Sequence, residues 1–168
     1  HPHISSATNI ADTVAVIQNW EQLKTKEKDG NKTVLSGVPA HLPPLVKAYR
    51  MQDKARAVGF DWDKKEDVWD KVKEEIGEFQ SELQHLDTSN PDSVNKAQGE
   101  LGDLLFSLVN ASRLYDLNPD TALETTCLKF KNRFTYLELA ARKDGLTFAD
   151  MSLEQMDKYW DEAKEKGL

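Results

Sequence analysis

The stretch Glu66-Asp67-Val68-Trp69-Asp70-Lys71-Val72-Lys73-Glu74-Glu75-Ile76-Gly77-Glu78-Phe79-Gln80-Ser81-Glu82-Leu83-Gln84-His85-Leu86 decides the fold. Trp69, Val72, Ile76, Phe79, Leu83 and Leu86 recur at 3-4-3-4-3 spacing, the period of one helix face. The pattern predicts a helix over about 66–86 with an apolar seam for packing against another helix. Downstream, Thr88 to Asp92 interrupts it, and Asn90-Pro91 is a capping pattern for a helix over about 92–115 carrying Leu101, Leu104, Leu105, Leu108 and Val109. Asn118-Pro119-Asp120 repeats that pattern and opens a helix to about Lys143, stopped at Gly145. Ser152-Leu153-Glu154-Gln155 reads as a capping box for a last helix through Trp160 to Lys166.

Upstream, Pro44 suits the first residue of a helix to about Val58, with Leu45, Val46, Tyr49 and Met51 inward and Gly59-Phe60-Asp61-Trp62 as its break. Residues 1–42 read as a lead-in and linker: one helix over Ala11 to Lys28, then a stretch to Pro44 rich in Gly and Pro. Alternating apolar residues around a hairpin turn are missing, and Asp29-Gly30 has charged flanks. Long amphipathic helices with short connections predict an all-α, antiparallel four-helix-bundle-like domain over 43–168.

The balance of 22 Lys and Arg against 29 Asp and Glu gives a net charge of −7. That excludes a general nucleic-acid binder, which needs a basic surface to displace counterions. An acidic protein that handles phosphates needs a divalent cation between itself and its substrate. The single cysteine, Cys127, rules out an internal disulfide framework and reads as a small buried residue on a helix in a reducing compartment. No apolar run approaches membrane-spanning length and no signal peptide is visible, so the expected location is cytoplasmic, with no membrane partner.

The carboxylates carry the chemistry. Glu75 and Glu78 are three residues apart, Glu74 and Glu78 four, and on the next helix Glu100 and Asp103 three, so each set shares a helix face. Glu75 and Glu78 directly precede the seam residues Ile76 and Phe79; Glu100 and Asp103 stand the same way to Leu101 and Leu104. If the sets converge they repel: two carboxylates about 5 Å apart at an effective dielectric of about 20 cost roughly 3 kcal/mol. A cation relieves that, and an all-oxygen set suits Mg²⁺, with Mn²⁺ as a substitute, rather than zinc. The plain alternative is a solvated acidic face. A di-iron bundle is disfavoured because Glu82-Leu83-Gln84-His85 is a lone E-x-x-H string.

The ordered pattern E-E-x-x-E, a gap, then E-x-x-D running on into Leu104-Leu105-Phe106 resembles the MazG family of nucleoside triphosphate pyrophosphohydrolases. Val58-Gly59-Phe60-Asp61-Trp62, Lys129-Phe130-Lys131-Asn132-Arg133-Phe134 and Trp160 extend the likeness over roughly 40–165. The resemblance implies hydrolysis of an NTP between the α and β phosphates to NMP and pyrophosphate, and a bundle completed by homodimerisation. It implies Glu75, Glu78, Glu100 and Asp103 as metal ligands. The catalytic acids are then Glu75, through the metal, and Glu74, which is not needed as a ligand and is taken as general base or second-metal ligand. Lys71, Lys96, Lys129, Arg133 and Trp160 match substrate-binding positions. Lys129 and Arg133, four apart on one helix, can reach one polyphosphate; Trp160 can equally be core or interface. The opening residues His1-Pro2-His3-Ile4 and the segment Trp20-Glu21-Gln22-Leu23-Lys24 resemble the end of a first domain and an interdomain joint, so the chain is expected to be the C-terminal half of a tandem protein. Its rivals are a catalytically silent dimerisation or regulatory module, a metal-free helical interaction domain, and a related enzyme acting on dUTP.

Overall fold

The computed structural model describes residues 32–168 together with Ile17 and Trp20, both helical. The rest of the helix expected over Ala11 to Lys28 lies outside the described residues. Everything regular among the described residues is helical, as the sequence pattern predicts. One compact unit ends at Pro119 and a second covers Asp120–Leu168. No described helix is long and apolar enough to cross a membrane.

In the first unit, α1 spans Pro44–Ala57, with a proline opening the helix. It closes at Gly59, whose φ of 96° is open to glycine at no steric cost. Phe60 N–H then reaches the Ala55 carbonyl (3.0 Å) and Gly59 N–H the Arg56 carbonyl (2.9 Å), the paired bonds of a Schellman stop. A single 3-10 turn, Lys65–Asp67, leads into α2, Val68–Leu83. The Asn90 side chain accepts from Asp92 N–H at 3.0 Å and caps α3, Pro91–Leu114. α2 and α3 pack along each other and α1 packs on α3. Val68, Val72 and Ala111, with Leu104 and Leu114 against them, form the core of this unit.

The buried stripe of α2 is not the seam expected from the sequence. Val68, Val72 and Glu75 are buried and Phe79 and Glu82 half-buried, a 4-3-4-3 line set mainly one position back from the expected one. Trp69, Ile76, Leu83 and Leu86 are 37–43% exposed. α3 behaves in the same way. Its line is Ser93, Ala97, Glu100, Leu104, Ser107, Ala111 and Leu114, all buried or half-buried, while Leu101, Leu105 and Leu108 are exposed. Small residues at 97, 107 and 111 let the helices approach closely, and each line carries carboxylate in place of a large apolar group.

The turn after α1 is tied to α3 by a buried cation. Arg113, 6% exposed, makes a two-pronged ion pair with Asp61 and donates from Nε and a terminal nitrogen to Asn110 Oδ1 at 3.1 and 2.8 Å. Asp61 of the Gly-Phe-Asp-Trp break is therefore the anchor of that break.

The second unit contains α4, which begins at the boundary and runs Pro119–Lys143, and α5, Leu153–Glu165. Gly145, at φ 76°, ends α4, and the Ser152–Gln155 capping box is formed in both directions. Leu137, Ala141 and Met151 are buried, with Leu146, Met156, Tyr159 and Trp160 packed on them. Cys127 is exposed, contrary to the expectation of a buried residue: its stretch of α4, 120–132, is exposed throughout.

Candidate metal centre

Glu75 continues the line of Val68 and Val72 into the α2–α3 contact, seven and three residues further on, and is 5% exposed.

 Its neighbours on that line are the buried Val68 and Val72, so the helix period alone places a carboxylate where a core residue normally sits. Glu100 occupies the equivalent place on α3, between Ala97 and Leu104. Glu78, one turn along α2 from Glu75, reaches in from the exposed side. One oxygen from each of Glu75, Glu78 and Glu100 lies within 4.8 Å of the others.

Two oxygens in this cluster are sealed from solvent and have no hydrogen-bond partner among the described residues: Glu75 Oε2 and Glu100 Oε2. A buried, unpartnered carboxylate oxygen is among the costliest groups a fold can keep. Burial first, then the charges of Glu78, Asp103, Glu75 and Glu82, push the Glu100 carboxyl above the usual glutamate range. A hard divalent cation fits this donor set: it needs several oxygens, tolerates carboxylate and keeps water in its remaining positions.

Asp103 lies outside the 4.8 Å group, yet its charge acts on Glu100. Glu82 acts there too; the sequence reading passed over it as part of an isolated E-x-x-H string. The signal was present, since Glu82 is seven residues from Glu75 and four from Glu78, a position on the same face.

Lys71 is held at the edge of the cluster. Its ammonium is 3.0 Å from Glu74 Oε2 and 3.0 Å from Glu75 Oε1, and the hydrogen bonds to Glu74 and then Glu75 raise its pKa above the ordinary lysine value. Glu74 is thereby beside the cluster but outside it. Lys96 is exposed on α3, one turn before Glu100.

The remaining expected residues belong to the second unit. Lys129 is exposed on α4. Arg133 donates from Nε to the Leu168 backbone oxygen at 2.7 Å and lies 5.7 Å from the centre of the Trp160 ring. Trp160 also packs against Phe130, ring centres 5.3 Å apart. Arg133 and Trp160 are thus brought together, as a cation–aromatic pair.

Residues 64–138 match the family model of the MazG nucleotide pyrophosphohydrolase domain. The chain is 35% identical over 166 residues to a Thermotoga maritima protein named nucleoside triphosphate pyrophosphohydrolase/pyrophosphatase MazG, covering 98% of this chain and 60% of that protein. It is 33% identical over 170 residues to the Escherichia coli nucleoside triphosphate pyrophosphohydrolase, covering the whole chain and 63% of the relative. It is 45% identical to the uncharacterized protein YabN of Bacillus subtilis, covering 98% of the chain and 33% of that protein. The chain therefore spans at most about two thirds of the length of these relatives. The segment 64–138 that is similar to this domain contains Glu75, Glu78, Glu100 and Asp103.

Proposed function

We propose that residues 43–168 form a MazG-type domain that hydrolyses nucleoside triphosphates to the monophosphate and pyrophosphate, with Mg²⁺ held by Glu75, Glu78, Glu100 and Asp103. The observation that carries this reading is the carboxylate group within 4.8 Å whose sealed Glu75 and Glu100 oxygens lack partners among the described residues. When bound, the cation supplies Lewis-acid polarisation of a phosphoryl oxygen and lowers the pKa of a coordinated water. Glu74, next to the cluster but outside it, takes the proton of the attacking water. The water oxygen bonds to the α-phosphorus while the bond to the α–β bridging oxygen breaks and pyrophosphate leaves. Lys71 and Lys96, on the two acid-bearing helices, hold phosphate oxygens. We assign Lys129, Arg133 and Trp160 of the second unit to nucleotide binding as well.

The test is pyrophosphate release from a panel of NTPs and dUTP with Mg²⁺, repeated on Glu78→Ala and Asp103→Ala. Release by the parent chain and its loss in both variants are expected. A chain that releases none from any nucleotide is the silent module instead, and the panel's ranking sets the base preference.

The same reading includes a homodimer. Trp69, Ile76, Leu83 and Leu86 on α2 and Leu101, Leu105 and Leu108 on α3 leave apolar stripes open, and exposed apolar stripes on neighbouring helices suit a subunit contact. Sedimentation is expected at twice the 19.1 kDa chain mass; a monomer at micromolar concentration counts against it.

A further inference from the structure

The two oxygens of Glu75 are treated differently. Oε1 is paired with the Lys71 ammonium at 3.0 Å, whereas Oε2 is sealed and unpartnered, in a residue grouped with Glu78 and Glu100. Lys71 is three residues before Glu74 and four before Glu75, so one turn of α2 presents all three together. Among the described residues, no other ammonium or guanidinium pairs with Glu75. The ammonium and a cation bound among these carboxylates would therefore share Glu75 and repel each other.

We propose that Lys71 is a built-in counter-ion that weakens this site for a bare cation, so that it fills with the metal–polyphosphate complex instead. The inference rests on the metal-site reading above and adds a coupling to it. In the nucleotide-free chain Lys71 neutralises part of the acidic cluster. When a polyphosphate arrives, its oxygens offer the ammonium another partner, and the cost of placing two cations beside Glu75 falls. The lysine side chain suits such a transfer: it is 45% exposed, and its charge sits on a long flexible stem. Its other ion pair, to Glu74, is open on both sides and contributes little to holding the fold.

The experiment is Mn²⁺ titration of the 168-residue chain without nucleotide, followed by calorimetry, for the parent, Lys71→Met, Lys71→Arg and Glu78→Gln. A unit charge about 6 Å from a divalent ion, at nearly the dielectric of water, changes binding about tenfold. Lys71→Met is therefore expected to bind Mn²⁺ about tenfold more tightly than the parent, and Lys71→Arg, which keeps the charge, about as the parent does. Affinity in Lys71→Met equal to or below that of the parent overturns the counter-ion role while leaving the metal site standing. Parent and Glu78→Gln binding Mn²⁺ indistinguishably overturns the metal site, and this inference with it.

Discussion

Glu100→Gln is expected to give a protein that is more heat-resistant than the parent in EDTA and yet almost inactive. Pyrophosphate release should fall more than about a hundredfold, because outer-sphere partners of metal ligands alone are worth 10–100-fold. The stability gain follows from the site's own electrostatics. Glu100 has its pKa raised by burial and by Glu78, Asp103, Glu75 and Glu82, so the folded chain holds that proton more tightly than the unfolded chain. A raised carboxylate pKa costs stability above the folded value. The cost declines as pH falls through that value and vanishes below the ordinary glutamate pKa. Gln carries no such cost, and its advantage in EDTA should be larger at pH 7.5 than at pH 5. Mg²⁺ binding only the folded state stabilises the parent by mass action, so saturating Mg²⁺ should shrink or reverse the gap. Thermal unfolding of both proteins in EDTA and in Mg²⁺, at the two pH values, checks this. A variant less stable than the parent in EDTA at pH 7.5 would contradict the repulsion argument.

The helices were readable from the sequence because their signals are local. Asn90 before Pro91, Gly145 after Lys143 and the Ser152–Gln155 box are chemical stops and starts that act where they are written. The role of Glu75, Glu78, Glu100 and Asp103 as one ligand set came from the family resemblance, while the sharing of one helix face by Glu75 and Glu78, and of another by Glu100 and Asp103, was identifiable from spacing. The rotation of those faces was not. Large apolar residues at 69, 76, 83 and 86 outvote small ones in any hydrophobicity count, yet the buried cluster joining α2 and α3 is Val68, Val72 and Ala111. Close packing selects residues by size, and a polar group can stay in the line when function demands it. Glu75 therefore looked like a flank residue in the sequence and is buried in the structure. The Lys71 pairing depends on rotamers that a helical wheel does not specify. Asp61 and Arg113, 52 residues apart, could be joined only once the turn after α1 was folded back onto α3.

That last pair should dominate the stability of the first unit. Asp61→Ala leaves the Arg113 guanidinium, 6% exposed, with the Asn110 amide oxygen as its only remaining polar side-chain partner among the described residues. A charge left buried by removal of its partner typically costs 3–5 kcal/mol. The Asn110 bonds and the partial exposure of Asp61, 20% at the side chain, place the expected loss near the lower end, about 3 kcal/mol. In a chain of this size that corresponds to a fall in Tm of roughly 6–12 °C. Asp61→Asn keeps an acceptor for one prong of the guanidinium and should lose about half as much. Removing the charge with its partner, in Asp61→Ala/Arg113→Met, should recover part of the loss, because an apolar side chain of similar length needs no counter-ion at that depth. Urea unfolding followed by tryptophan fluorescence separates the cases. If Asp61→Ala unfolds at the parent's midpoint, the ion pair is not what anchors the turn to α3. If the double variant is no better than the single one, the loss comes from the missing Asp61 contacts rather than from the stranded charge.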